Sequence, residues 1–232
     1  MRGTHRERMK VILRVRFGTM GRFRRRYYDI FSSFYDLIIN LHSRDKSAGL
    51  RDFLVESSGV RPGDVVLDIC TGTGSVAIRA GEEVKSPGGK VVALDFSHGM
   101  LKKARRKIKD STRKRVHLVE ADVSSMPFAD GSFDVVTCSH AMYELTAQAR
   151  KEGLGEIRRV LKKGGSFFMM EHEVPEKPFI RFLYYVRLTT MGSRENRGFA
   201  RDETLELGQH FSDVRKSHSP TGKSKLISGR KS

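Results

Sequence analysis

Three aspartates recur at equal intervals along the chain, each near the end of an apolar run. They are Asp68, Asp95 and Asp122, and both intervals are 27 residues (95 − 68 and 122 − 95). Since open parallel sheets bind ligands at the carboxyl ends of their strands, this spacing predicts three carboxylates along one edge of one cleft. Burying a carboxylate without a partner is costly, so the row indicates a ligand with hydroxyl, amine or cationic groups. The alternative is that each aspartate only caps the helix that follows its strand.

A glycine-rich turn separates Asp68 from the next predicted helix. It contains Gly72 and Gly74, which let backbone amides approach a ligand closely at the positive end of the helix dipole. The stretch from Gly72 to Ala77 also fits the dinucleotide fingerprint G-x-G-x-x-A, with Asp95 21 residues after Gly74 (95 − 74). Asp68 separates the two interpretations, because an acid within the strand favours a ligand with an ammonium group and does nothing for a pyrophosphate.

Apolar runs alternate with helical segments, which is the arrangement that brings these aspartates together. Strands are predicted at 65–70, 90–95, 116–122, 133–138 and 166–174, with two weaker ones at 211–218 and 223–230. Helices are predicted at 46–58, 75–85, 98–109, 153–162 and 178–190, the fourth ending at Lys162–Gly165. The pattern predicts an α/β fold with a doubly wound, mostly parallel, seven-stranded sheet.

Positive charge is concentrated in three segments. The chain holds 44 Lys and Arg against 27 Asp and Glu, a net charge of +17. Residues 1–26 contain ten basic residues and one acid, residues 102–115 nine and one, and residues 213–232 six and one. We therefore expect an anionic partner such as RNA or a lipid surface, with a solubilising surface as the alternative.

Cysteine usage and hydropathy indicate a cytoplasmic protein, either free or peripheral to a membrane. Cys70 and Cys138 both lie in apolar strand segments, as expected for reduced core thiols. No apolar run approaches 18 residues, and the opening residues lack the apolar stretch of a secretory signal. Glu171–Glu173 has side chains suited to metal binding, but without a Cys/His cluster we expect no metal site.

Four motifs in order resemble those of class I S-adenosylmethionine-dependent methyltransferases. They are Val66–Gly74 (VLDICTGTG), Val92–Leu101 (VALDFSHGML), Glu120–Val136 and Leu154–Gly165. The set is most similar to the ubiquinone/menaquinone C-methyltransferase (UbiE-like) family and its type 11 relatives, over about residues 27–174. This resemblance implies a Rossmann-like enzyme that uses S-adenosylmethionine to methylate a small-molecule or lipid-like acceptor, with a quinone among the options.

The resemblance also implies a role for each matching residue. The methionine moiety is expected to contact Asp68, Cys70, Thr71, Gly72 and Gly74, and the ribose to contact Asp95. The adenine is expected to contact Phe96, Met100, Asp122 and the backbone amide of Val123. Ser139 is expected to line the methyl-transfer cleft, and Tyr35 to face the sulfonium. Tyr35 belongs to an N-terminal lid, and ordinary helix packing is the alternative for it. The chain then divides into a basic arm (1–26), a helical lid (27–58) and an S-adenosylmethionine-binding domain (59–232).

Two positions depart from the family pattern. Cys70 replaces the first glycine of the first motif, and Tyr143-Glu144 stands where quinone C-methyltransferases carry an Arg-Asn pair. An acceptor that must lose a proton needs a base, and we expect His140 first and Tyr143 second, with Glu144 and His172 as further candidates. Two other functions stay open: an RNA methyltransferase that uses the basic surface, and a nicotinamide-dependent dehydrogenase or non-catalytic nucleotide binder.

Overall fold

The computed structural model describes residues 49–174, 178–179, 181–182 and 196–232. Its helices are α1 (Gly49–Ser57), α2 (Ser75–Glu83), α3 (His98–Lys107), α4 (Asp110–Arg113), α5 (Ala147–Val160), α6 (Asn196–Arg201) and α7 (Glu203–Leu207), with a 3-10 helix at Met142–Glu144. Its strands are β1 (Val65–Ile69), β2 (Lys90–Asp95), β3 (Val116–Glu120), β4 (Phe133–Ser139), β5 (Leu161–His172), β6 (Ser212–His218) and β7 (Ser224–Arg230). The predicted basic arm, Tyr35 and most of the predicted lid lie outside the described residues.

The seven strands form one sheet in the order β3-β2-β1-β4-β5-β7-β6. Strands β1 to β5 are parallel to one another, whereas β7 runs antiparallel to both β5 and β6. Parallel neighbours need crossover connections, and the helices between the early strands supply them. The predicted doubly wound, mostly parallel seven-stranded sheet is confirmed.

Alternate residues of each strand feed two hydrophobic layers. Val66 of β1 and Met170 of β5 pack with α1 and α2 on one face of the sheet. Their neighbours Leu67 and Met169 pack with α5 on the other face. Because both faces are covered, the strands are continuous apolar runs rather than alternating ones, which is why their positions could be predicted.

The fifth strand begins earlier than the sequence pattern indicated. We expected Lys162–Gly165 to end a helix, but α5 ends at Val160 and β5 starts at Leu161. Leu161 pairs with Phe133, and the register then shifts along the two strands. Gly164 has a φ of +77°, which glycine adopts without steric cost, so this segment forms an irregular stretch of strand rather than a helix stop.

Helix assignments differ at two further places. Helix α5 begins at Ala147 rather than at 153, and the Thr146 hydroxyl caps it by accepting the Ala149 N–H at 3.2 Å. Helices α6 and α7 were not predicted, whereas residues 178, 179, 181 and 182 are helical, as expected for the start of the 178–190 segment. Within the described ranges, no helix has the length and hydropathy to cross a bilayer.

Candidate active site

The carboxyl ends of β1 to β4 meet at one edge of the sheet. The chain moves outwards from β1 to β3 and then crosses back to β4, so the direction of winding reverses between β1 and β4. Open α/β sheets bind ligands at such a reversal point. Asp68 lies in β1, Asp95 ends β2, and Asp122 follows the end of β3, which places all three aspartates along this edge.

Asp95 is fixed by two backbone amides. Its Oδ2 accepts the N–H of Gly72 at 2.8 Å, and its Oδ1 accepts the N–H of Ser97 at 2.9 Å. Gly72 has a φ of +55°, and a Cβ atom added there would meet no heavy atom within 4 Å. A carboxylate oxygen accepts more than one hydrogen bond. Asp95 itself is 5% exposed, and the open space lies at Gly72, to which it is hydrogen-bonded. A carboxylate fixed at this position fits a vicinal diol such as that of ribose.

Asp68 is enclosed by the protein. Its Oδ2 accepts the Thr71 hydroxyl at 2.5 Å and its Oδ1 accepts the Thr137 hydroxyl at 2.8 Å. Only 1% of Asp68 is exposed, and desolvation raises its pKa to about 6. We expected Asp68 to hold a methionine moiety. Through these hydrogen bonds Asp68 positions Thr71 and the turn, and its contact with a methionine moiety stays a prediction.

Helix capping by the aspartates holds only in part. The N-cap of α2 is Gly74, and that of α3 is Ser97, whose hydroxyl accepts the Met100 N–H. Asp68 does accept the Ala77 N–H in the first turn of α2. Asp122 accepts the N–H and the hydroxyl of Ser124 at 2.9 and 2.8 Å, which stabilises the turn after β3.

The residues expected around adenine differ in exposure. Phe96 and Asp122 are half-buried at the edge of the sheet. Met100, on α3, is 3% exposed, and Val123 packs in the core with its side chain against Gly153. Val123 was expected to contribute only its backbone amide, so its packing leaves that expectation unchanged. Because Met100 is buried, its side chain packs beneath α3 in this structure.

The turn after β1 is held by close backbone contacts. A Cβ atom on Gly74 would lie 2.9 Å from Cβ of Ala104, so only glycine allows α2 to begin this close to α3. Cys70 has a φ of +50°, the left-handed region, at the position where the family pattern has glycine. A hydrogen bond with Cys70 and burial hold the pKa of the Cys138 thiol on β4 well above its usual range.

On the other side of the cleft, two histidines stack at the ends of β4 and β5. The rings of His140 and His172 have centroids 4.1 Å apart. His140 Nδ1 lies 2.9 Å from Ser139 Oγ, and its Nε2 lies 3.4 Å from Oγ of Ser224, the first residue of β7. The His140 backbone has a φ of +55° and donates its N–H to the Met170 carbonyl at 2.7 Å, which fixes the ring at this edge.

Tyr143, expected as a second base, lies in the interior instead. It is 4% exposed, and its hydroxyl donates to the carboxylate of Glu203 on α7. Its ring packs edge-on against Phe199 at 5.5 Å. Because the hydroxyl is already engaged away from solvent, the structure does not support Tyr143 as a base.

Sequence reasoning missed a buried charged group beneath this loop. Lys225 on β7 and Glu203 are 1% and 0% exposed, and the Lys225 Nζ lies 2.5 Å from Glu203 Oε1. Lys225 also donates to the Ala200 carbonyl at 2.9 Å. A lysine directly before the apolar pair Leu226-Ile227 is a signal of a buried partner, but the sequence does not show which acid it is.

Glu171 ties the end of β5 to the loop after β4. It is 1% exposed, and its Oε1 accepts the Met142 N–H at 2.7 Å, with the Tyr143 N–H as a further donor. Desolvation raises the pKa of Glu171 to about 8. The carboxyl group therefore positions the turn that follows His140.

Comparison with known protein families identifies the family of this chain. The model of the ubiE/COQ5 methyltransferase family matches residues 23–201, well over half of the chain. The chain belongs to this family. The family predicted from the four sequence motifs is therefore confirmed.

Named relatives of the ubiE/COQ5 family show the same resemblance. The chain is 34% identical over 163 residues to "Demethylmenaquinone methyltransferase" of Symbiobacterium thermophilum, covering 70% of this chain and 64% of that protein. It is 36% identical over 151 residues to "Ubiquinone/menaquinone biosynthesis C-methyltransferase UbiE" of Ectopseudomonas mendocina, covering 65% of this chain and 58% of that protein. The match thus spans less than two thirds of either relative.

Solved structures share the fold at lower identity. A SAM-dependent methyltransferase from Aquifex aeolicus has a TM-score of 0.64 at 18% identity, covering 83% of this chain and 97% of its own. Human N-acetylserotonin methyltransferase in complex with SAM has a TM-score of 0.64 at 15% identity, covering 89% of this chain and 56% of its own. These similarities support the fold assignment of this family member.

Proposed function

We propose that this chain is an enzyme that transfers a methyl group from S-adenosylmethionine to a small, quinone-like acceptor. The observation that carries the proposal is the Asp95 carboxylate, held by the Gly72 and Ser97 amides at the reversal point of the sheet, with open space at Gly72. Membership of the ubiE/COQ5 methyltransferase family supports the reaction. Two relatives are named for demethylmenaquinone and for ubiquinone/menaquinone, which supports the class of acceptor.

The cofactor-side residues fit an adenosyl group joined to methionine. Asp95 binds the two ribose hydroxyls, and Phe96 and Asp122 flank the adenine together with the Val123 amide. Thr71, oriented by Asp68, and the amides of the glycine-rich turn hold the methionine end. Tyr35 of the predicted lid lies outside the described residues, and its contact with the sulfonium stays a prediction.

The acceptor side supplies positioning and a proton acceptor. When bound, S-adenosylmethionine provides an electrophilic methyl group, and in-line transfer depends mainly on how the two reactants are aligned. An aromatic carbon that receives a methyl group must lose its hydrogen as a proton, and we assign that proton to His140. Ser139 and Ser224 lie at its two ring nitrogens and orient the ring.

The basic arm, residues 1–26, belongs to the same proposal. A lipid-like acceptor is delivered from a membrane, and an arm with ten basic residues and one acid suits an anionic membrane surface. The protein would then act while bound peripherally to that surface.

The topology favours methyl transfer over a nicotinamide cofactor. The dinucleotide-binding fold has the strand order 3-2-1-4-5-6. Here the antiparallel strand β7 lies between β5 and β6. Asp68, which the fingerprint does not require, also holds the first turn through Thr71.

Thermal unfolding with candidate ligands tests the proposal. The full chain is titrated with S-adenosylmethionine, S-adenosylhomocysteine and NADH. A ligand at 100 times its dissociation constant adds about 2.7 kcal/mol of stability. We expect both adenosyl compounds, and not NADH, to raise the unfolding temperature, and we expect Asp95→Asn to abolish most of that rise.

Two control variants make the result specific. Asp130→Asn, at the opposite edge of the sheet, should keep the full rise. His140→Ala should also keep it, because His140 acts on the acceptor, while losing turnover with a demethylmenaquinone analogue. Stabilisation by NADH alone, or an equal rise in Asp95→Asn, would overturn the assignment of the cofactor site.

A further inference from the structure

The segment from α3 to the end of α4 presents a strongly basic surface far along the chain from the N-terminal arm. Residues 102–115 contain nine Lys and Arg and a single acid, Asp110. Helix α3 itself contains no acidic residue. We call six exposed cations of this segment the basic face: Lys102, Arg105, Arg106, Lys109, Arg113 and Lys114. The seventh, Lys107, donates to the Thr73 hydroxyl at 2.8 Å and is not counted with them.

Ion pairing among the described residues leaves most of this charge uncompensated. In the described part of the structure, Lys102, Arg105, Arg106, Lys109 and Lys114 make no ion pair with a carboxylate. Several basic residues elsewhere are paired, as Arg79 is with Asp52 at 2.7 Å and Arg159 with Glu156 at 2.7 Å. The basic face therefore differs from a solubilising surface in which charges of both signs alternate.

The local fold does not explain the basic face either. Cations in the last turn of a helix interact favourably with its dipole, which accounts for Arg105 and Arg106. Lys102 lies a turn earlier, and it repels Arg105 and Arg106 at the i+3 and i+4 positions of the same helix face. Lys109 follows the end of α3. The charge thus weakens the isolated helix slightly, and an external anion would relieve that repulsion.

We propose that the basic face docks on the anionic surface of a lipid bilayer. The proposal rests on the proposed function for the reason to visit a membrane, since a lipid-like acceptor resides there. Juxtaposed lysines and arginines bind anionic bilayers by charge attraction without a defined pocket. Single-stranded RNA is disfavoured, because such sites interleave aromatic side chains with the cations and residues 102–115 contain none.

Vesicle binding by the full chain tests this docking surface. Cosedimentation is measured with vesicles of phosphatidylcholine alone and of phosphatidylcholine containing about a third phosphatidylglycerol. The triple variant Lys102→Gln, Arg106→Gln, Lys109→Gln is compared with the wild type. Each cation near an anionic bilayer contributes enough that removing three should lower the partition coefficient about a hundredfold.

A matched variant separates position from net charge. Lys85→Gln, Lys90→Gln, Lys223→Gln removes the same number of exposed cations from other parts of the chain and should leave binding within a few-fold of the wild type. Raising the salt from about 0.05 M to about 0.5 M should release the wild type from the vesicles.

The remaining outcomes are also decisive. Equal losses in the two triple variants, or no loss in either, would overturn the basic face as the docking surface and leave net charge or the arm in its place. Tighter binding to an RNA duplex than to the anionic vesicles would overturn the lipid assignment. The triple variant of Lys102, Arg106 and Lys109 should still be stabilised by S-adenosylhomocysteine as the wild type is. Failure of the docking proposal is therefore distinguishable from failure of the proposed function.

Discussion

At the scale of single residues, Glu171 gives the acceptor side of the cleft a dependence on pH. Desolvation raises its pKa from 4.5 to about 8, so the folded protein retains a proton that the unfolded chain has released. Where the native state binds more protons, the free energy of unfolding falls as the pH rises. The stability contributed by protonated Glu171 is therefore complete below pH 4.5 and is lost between pH 4.5 and about 8.

Glu171→Gln should remove this loss. Glutamine keeps a carbonyl oxygen for the Met142 amide but does not ionise. Asp68 changes stability in the same direction only up to its own pKa of about 6, so the comparison is made between pH 6 and 8. There the wild type should lose up to about 1.4 kcal/mol per pH unit more than the variant does.

Urea unfolding at the two ends of this range measures the difference. The exposed Glu56→Gln serves as the control, and it should follow the wild type. Parallel losses of stability in the wild type and in Glu171→Gln would show that Glu171 ionises freely in the folded protein.

At the scale of elements, glycine acts in opposite ways in α2 and α5. Gly74 begins α2 at a φ of +75°, with Ala104 of α3 closing the space around it. Gly155 lies inside α5, and a Cβ atom added there would meet no heavy atom within 4 Å. One glycine is therefore required by the fold, while the other only weakens its helix.

The same substitution should thus have opposite effects at the two positions. Gly74→Ala should lower the free energy of unfolding by about 1–3 kcal/mol, because it adds left-handed strain and a clash with α3. Gly155→Ala should raise it by about 0.5–1 kcal/mol through helix propensity. Urea midpoints report both changes, and a stabilising Gly74→Ala would contradict the contact between α2 and α3.

The elements differ in how far the sequence could predict them. Strands such as β1 could be predicted because burial on both faces requires an unbroken apolar run. The start of α5 was missed because residues 147–152 (AQARKE) contain no apolar side chain larger than alanine to mark a helical period, while the cap at Thr146 gives only a short signal. The Lys162–Gly165 segment resembles a helix stop, and only pairing with β4 makes it part of β5.

At the scale of the whole molecule, one buried charged group joins the C-terminal strands to the rest of the fold. Glu203 on α7 receives Tyr143 from the loop after β4, Lys225 from β7 and Lys216 from β6. Local sequence could not predict this group, because its four residues come from four separate segments and only folding brings them together.

Breaking this group should destabilise the whole protein. Lys225→Met removes the buried cation from Glu203 and leaves the carboxylate with the partly exposed Lys216, so it should lower the free energy of unfolding by about 3–5 kcal/mol. Adding Glu203→Gln should restore part of that loss, because the amide carbonyl still accepts the Tyr143 hydroxyl.

The exposed Lys223→Met provides the control for loss of charge and should leave stability near that of the wild type. Calorimetric unfolding of these variants checks the order of stabilities. If the double variant were less stable than Lys225→Met alone, the contact between Lys225 and Glu203 would not be the cause.

Because β7 runs in the opposite direction, the two sides of the cleft are built by different parts of the chain and can change in sequence independently. Because β7 is antiparallel, it begins at the edge where β5 ends, and the β6–β7 hairpin opens there beside His140. The proposed cofactor residues that the structure describes come instead from β1 to the turn after β3, Asp68 to Val123. A hairpin tolerates changes of length that a crossover helix does not. Replacing residues 219–223 is thus the most direct way to change the preference for the proposed acceptor while leaving the proposed cofactor residues unchanged.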